Sequence, residues 1–134
     1  MSVIDDILEN SRTIAVVGAS SNPKRDSNRI FKYLLGAGYT VIPVNPGETE
    51  VLGQKAYPDL KSVPVKVDTV DIFRKPEAVP DIVEQAIAIG ARAVWMQLGI
   101  RHAAAARKAR EAGLAVVQDR CIYVEHLKRH GGKD

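Results

Sequence analysis

Apolar residues in this chain occur in two rhythms, short unbroken runs and longer stretches with helical spacing, and the two alternate from one end to the other. Ile14, Ala15, Val16 and Val17 are consecutive, the pattern of a parallel strand covered on both faces. Similar runs at Tyr39 to Val44, Thr69 to Phe73, Ala93 to Leu98 and Leu114 to Val117 predict four more strands. Before the first run, Met1 to Arg12 carries Val3, Ile4, Ile7 and Leu8 on one helical face and ends at Asn10 and Ser11. A second helix is expected after Ser27 as N-cap, with Ile30, Phe31, Leu34 and Leu35 inward, closing at Gly36 and Gly38. A third opens at Pro80, turns Ile82, Val83, Ala86 and Ile87 to the sheet and stops at Gly90. The Ala-rich stretch Ala103 to Ala112, ended by Gly113, and the segment Ile122 to His130 complete the set, with Gly131 and Gly132 expected to fray.

Strands alternating with helices at these spacings imply right-handed crossovers and a three-layer α/β fold around a five-stranded parallel sheet. Glu48 to Lys66, with Gly53, Pro58 and Pro64 and little periodicity, is expected to be a long connection holding one helical turn near Asp59 to Lys61. Neither repeats nor low-complexity tracts interrupt the 134 residues, which fit one domain.

Composition narrows the class. A single cysteine, Cys121, excludes an internal disulfide, and neither a leader-like N-terminus nor an 18-residue apolar run appears, so a cytoplasmic protein outside the membrane is expected. The net charge is +3, with Lys128, Arg129, His130 and Lys133 crowding the C-terminal end as a solvated tail, and only 5% of residues are aromatic. A basic stripe interleaved with stacking rings is therefore missing, and nucleic acid is not expected as a partner.

Candidate chemistry gathers at the predicted strand ends, where open α/β sheets bind ligands. After the first strand come Gly18, Ala19, Ser20, Ser21 and Asn22, small or hydrogen-bonding residues that let backbone N–H groups approach an anion at a helix N-terminus. A dinucleotide fingerprint aligned on Gly18 would need glycines at Ser20 and Pro23, and the second strand ends in Asn45, Pro46 and Gly47 rather than in an acid. A nicotinamide cofactor is disfavoured, and the missing GK[ST] step removes a P-loop. Arg74 and Lys75 follow Phe73 directly: they could hold a phosphate while the ring packs on a base, or form a solvated strand end beside a core ring. Lys24 and Arg25 either grip a pyrophosphate or lie on the surface, and Asn45 either bonds a ligand or only its own turn. The strand-end set, including Gln97 to Ile100 and Gln118 to Cys121, is polar, cationic and nearly free of carboxylates, Asp119 excepted.

No catalytic constellation emerges. Ser20 and Ser21 fit no triad motif. His102, His126, His130 and Cys121 lack metal-ligand spacing. Trp95 and Met96 are expected in the core on opposite faces of their strand. Cys121 reads as a small buried residue, a reactive thiol being the alternative.

The segments IAVVGASSNPKRDSNRI, GYTVIPVNPG, VLGQKAYPDL, VDTVDIFRKPEAVPDIVEQAI, GARAVWMQLGI and AREAGLAVVQDRC, spanning Ile14 to Cys121 in order, resemble the stand-alone CoA-binding domain proteins. Their domain is similar to the N-terminal domain of the succinyl-CoA synthetase α subunit. The resemblance implies a Rossmann-like sheet that binds coenzyme A or an acyl-CoA, with pyrophosphate at Gly18, Ala19, Ser20 and Ser21. It implies adenosine near Asn45 and Pro46, adenine and phosphates flanked by Phe73, Arg74 and Lys75, and pantetheine bordered by Gln97 to Gly99; Lys24 and Arg25 join the phosphate side. The synthetases take a phosphohistidine from another domain that is not part of these segments, so binding without catalysis is expected. A subunit of an acyl-CoA ligase with a separate nucleotide-grasp partner and a redox sensor for NAD(P) are the alternatives.

Overall fold

The computed structural model describes residues 2–130; the expected fray at Gly131 and Gly132 lies outside them. Helix α1 (Val3–Asn10) starts at a reciprocal cap in which the Asp5 N–H donates to Ser2 Oγ at 3.1 Å and the Asp5 carboxylate accepts from the Ser2 N–H. Strand β1 (Thr13–Val17) follows, then α2 (Asp26–Gly36), β2 (Thr40–Val44), β3 (Glu50–Val51) and β4 (Gln54–Lys55). The remainder is β5 (Thr69–Ile72), α3 (Val79–Ala88), β6 (Ala93–Met96), α4 (Ala103–Glu111), β7 (Ala115–Val117) and α5 (Ile122–Arg129).

Five strands form one parallel sheet in the order β2-β1-β5-β6-β7. The order reverses between β1 and β5, because the chain winds outward from β1 to β2 and then returns to build on the other side. Strand residues alternate between two cores. Ile14, Val16, Val41 and Trp95 pack beneath α1, α2 and α5 through Ile7, Leu8, Phe31, Leu34 and Ile122. Val17, Val70, Ile72 and Met96 pack beneath α3 and α4 through Val83, Ala86, Ala106 and Ala109. Trp95 and Met96 are fully buried on opposite faces, and the Trp95 indole N–H donates to the Arg120 carbonyl at 2.8 Å, pinning the segment before α5.

Three local expectations change. Helix α2 begins one residue before the expected cap: Arg25 occupies the cap position without a side-chain bond, and Ser27 is buried inside the first turn. A tight turn causes this, the Arg25 N–H donating to the Asn22 carbonyl at 3.0 Å and delivering the chain into the helix early. The connection after β2 holds the expected helical turn, a 3-10 turn at Leu60–Ser62 capped by Asp59, and an unexpected hairpin as well: β3 and β4 pair antiparallel around Leu52 and Gly53, both at positive φ (48° and 82°), the conformation of a two-residue hairpin turn. Leucine disfavours that conformation and each strand has two residues, so the hairpin leaves almost no sequence signal. Finally, β5 and β6 stop at Ile72 and Met96, leaving Phe73 half-buried and Leu98 71% exposed beyond the strand ends.

Candidate functional site

A cleft of about 640 Å³ opens where the strand order reverses, lined by Gly18, Ser20, Lys24, Arg25, Asn45, Pro46, Phe73 and Arg74 together with Asp26 and Ser27. Such a crevice forms in open α/β sheets because successive connections diverge to opposite faces there. Gly18 makes the close approach possible. Its φ is +93°, and a Cβ at this position would lie 2.6 Å from the Phe73 carbonyl oxygen and 3.1 Å from Arg74 Cδ. The two strand ends are further tied by N–H donation from Gly18 to the Val44 carbonyl (2.9 Å) and from Phe73 to the Val17 carbonyl (2.8 Å).

The turn after β1 is held from within. Ala19 is fully buried and its carbonyl accepts from Asn45 Nδ2 at 2.8 Å, while Asn45 Oδ1 accepts from the Gly47 N–H at 2.9 Å. Asn45 therefore fastens the β2 turn to the β1 turn. Ser20 Oγ accepts from the Asn22 N–H, and the Ser20 carbonyl accepts from Asn28 Nδ2 at 2.8 Å. The Ser20 hydroxyl keeps its proton for another acceptor. The N-terminus of α2 has no side-chain cap and faces the cleft through Asp26 and Ser27, leaving orphan amides and the positive end of the helix dipole toward the cavity.

Among the described residues Lys24, Arg25, Arg74 and Lys75 form no ion pair. The expectation that carboxylates other than Asp119 stay away from the strand ends is corrected. Asp26 lines the cleft and pairs with Arg29. Glu48 reaches into the β1 turn, its Oε2 accepting from the Ser21 N–H (2.9 Å) and the Ser21 hydroxyl (3.1 Å). The reason is the tight turn at Asn45, where the Glu48 N–H donates to the Asn45 carbonyl at 3.1 Å and sends the side chain back over β1. A turn-forming Asn-Pro-Gly followed by an acid was the available signal. Ser21 thus already binds a carboxylate oxygen.

Two further hollows adjoin the cleft. One of about 490 Å³ shares Pro46 and Arg74 with it and is walled by Val17, Val44, Pro58, Leu60 and Ile82. The other, about 430 Å³, shares Asp26, Phe73 and Arg74 and continues past Lys75, Gln97 and Cys121. Gln97 Oε1 accepts from the Ile122 N–H at 3.1 Å, so this side chain fixes the start of α5 while forming wall. Gly99 lies outside these hollows, and its N–H donates to Asp119 Oδ1 at 2.7 Å. That bond, with Arg101 beside it, holds the Asp119 carboxyl below the usual range. His102 caps α4, its Nδ1 accepting from the Ala105 N–H. Among the described residues no group of three or more His, Cys, Asp or Glu could hold a metal ion, and no helix is long and apolar enough to cross a membrane.

Asp71, in the centre of β5, escaped the sequence reading. It is fully buried between Val16 and Trp95, and among the described residues neither carboxylate oxygen has a hydrogen-bond partner. Burial pushes its pKa well above the usual carboxylate range, so the neutral acid is favoured.

The chain matches known proteins over nearly its whole length. Residues 12–127 match the family described as CoA binding domain. The chain is 40% identical to the uncharacterized protein YneT of Bacillus subtilis over 92% of its own length and 91% of that protein's. A hypothetical protein of Pyrococcus horikoshii superposes with a TM-score of 0.92 at 46% identity, covering 98% of this chain and 94% of that one. The alpha subunit of acetate–CoA ligase (ADP-forming) II from Pyrococcus furiosus is 47% identical over 64 residues, which span 47% of this chain and 14% of that subunit.

Proposed function

The chain belongs to the CoA binding domain family, and on that premise we propose that it binds coenzyme A or an acyl-CoA in the cleft at the β1/β5 reversal, without catalysing a reaction alone. The observation that carries the reading is the pairing of an uncapped α2 N-terminus with three cations, Lys24, Arg25 and Arg74, around one cavity. Orphan amides and unpaired cations suit a polyphosphate, since charge-assisted hydrogen bonds are about twice as strong as neutral ones.

In this reading the pyrophosphate sits over Gly18 to Ser21, where it displaces the Glu48 carboxylate from Ser21. Adenosine lies against Pro46 and the apolar hollow beyond it. Pantetheine follows Phe73, Lys75 and Gln97 toward Cys121. Asn45 and Ala19 act by holding the turn in place rather than by touching ligand, and Gly99 acts through the turn it closes.

Calorimetric titration with CoA, NAD and ATP tests the proposal. CoA should bind at least tenfold more tightly than either of the others. Equal or tighter binding of NAD would replace it with a nicotinamide-binding reading. A second reading, a subunit of an acyl-CoA ligase, draws on the likeness to the acetate–CoA ligase alpha subunit. Its mark would be ATP-dependent acyl-CoA formation that appears only when a nucleotide-binding partner co-purified with this chain is added.

A further inference from the structure

A fourth hollow, about 660 Å³, runs between α2 and α5 and is lined by Tyr33, Tyr123, His126 and His130 with Arg29, Lys32, Gly36 and Ala37. It shares Arg29 and Tyr123 with the hollow that holds Phe73, Gln97 and Cys121. That hollow in turn shares Asp26, Phe73 and Arg74 with the main cleft. Three spaces therefore follow one another from the phosphate-binding turn, past the strand ends and down the side of the molecule.

We propose that the groove between α2 and α5 receives the acyl group of an acyl-CoA, and that the class it takes is a medium-length aliphatic or aryl group. The inference rests on the CoA-binding reading above, because continuity with that cleft identifies the occupant.

The walls support an apolar guest. Tyr33 and Tyr123 have ring centroids 4.2 Å apart, and His126 meets Tyr33 edge-on at 5.4 Å and His130 at 4.4 Å. Two of the polar atoms at the wall satisfy one another, Tyr33 Oη and His126 Nδ1 sharing a hydrogen bond of 2.6 Å, and Arg29 pairs with Asp26. Burial, with His130 nearby, lowers the His126 pKa and favours a neutral imidazole. At the far end Gly36 leaves open space, with nothing within 4 Å of a Cβ built there. From Arg29 to Gly36 the groove follows seven residues of helix, roughly 10 Å at the helical rise of about 1.5 Å per residue. The two carbons of an acetyl group would leave most of that length empty, whereas an octanoyl or phenylacetyl group would extend along the groove.

The test is calorimetry with CoA, acetyl-CoA, octanoyl-CoA and free octanoate, on the unaltered chain and on Gly36→Phe. The Cβ of this replacement has room, its ring is meant to fill the groove, and the position stands outside the CoA cleft; circular dichroism with a thermal melt checks the fold. Each fully buried methylene is worth about fourfold in affinity, so octanoyl-CoA should bind at least tenfold more tightly than acetyl-CoA. Gly36→Phe should reduce that ratio to about twofold while the CoA affinity stays the same. Equal affinities for CoA, acetyl-CoA and octanoyl-CoA would overturn the acyl groove and leave the CoA site standing. No binding of any CoA compound would remove the underlying reading and the groove assignment with it. Octanoate binding as tightly as octanoyl-CoA would overturn the link to the cleft and mark an independent carboxylate site.

Discussion

Replacing Asp71 by Asn should change how the stability of this protein depends on pH. The carboxyl is fully buried in the central strand, on the sheet face shared with Val16 and Trp95, and its two oxygens have no hydrogen-bond partner among the described residues. Its pKa in the folded state is raised by desolvation, whereas an unfolded chain ionises near ~3.9. The folded state therefore holds a proton that the unfolded state has released. Stability from this group is complete below pH ~4 and falls as pH rises, by about 1.4 kcal/mol per unit, until the folded-state pKa is passed. Asparagine has nearly the same shape and cannot ionise. The difference in unfolding free energy between Asp71→Asn and the original chain should thus grow in favour of the variant by up to about 2.7 kcal/mol over two pH units above ~4. Other carboxylates titrate in both proteins and cancel in the difference. Urea unfolding at a series of pH values, read by the emission of Trp95, the one tryptophan of the chain, measures it. Parallel profiles, with a constant offset across that range, would refute the reasoning and mean that Asp71 is ionised and compensated in the fold. Asp71→Val, suited to a buried strand, should also exceed the original chain in stability at neutral pH.

Three further outcomes are expected. Arg74→Glu should weaken CoA by on the order of 1.5–3 kcal/mol, as for a lost hydrogen bond to a charged group, with the melting temperature little changed; unaltered affinity in calorimetry would return Arg74 to the role of a surface cation. Glu48→Gln should tighten CoA several-fold, about 1 kcal/mol, because phosphate then displaces a neutral amide from Ser21 rather than a carboxylate, and weaker binding in the same titration would make Glu48 part of the ligand site. Gly18→Ala should cost about 1–3 kcal/mol in urea unfolding, because a Cβ meets the Phe73 carbonyl at 2.6 Å and φ is +93°, and stability within ~0.5 kcal/mol of the original would show that the β1 and β5 ends part easily.

The hydrophobic pattern alone determined the five strands, the five helices and their three-layer arrangement, because burial on both faces demands runs such as Ile14 to Val17 and burial on one face demands spacings such as Ile30, Phe31 and Leu34. The small residues from Gly18 to Ser21 and the cations Arg74 and Lys75 were equally legible, since their chemistry is local. Tertiary structure decided the rest. Whether strand ends face one crevice depends on the strand order, and β1 and β5, separated by the 51 residues from Gly18 to Asp68, become neighbours only when the sheet assembles. Glu48 joins Ser21 because a turn folds it back across 27 positions, which no periodicity records. Asp71 reads in sequence as one polar residue in an apolar run; its burial without a partner among the described residues follows from lying in the middle of a sheet that is covered on both sides. The same holds for the groove of Tyr33, Tyr123 and His126, whose members come from α2 and α5 and meet because both helices pack on one face of the sheet.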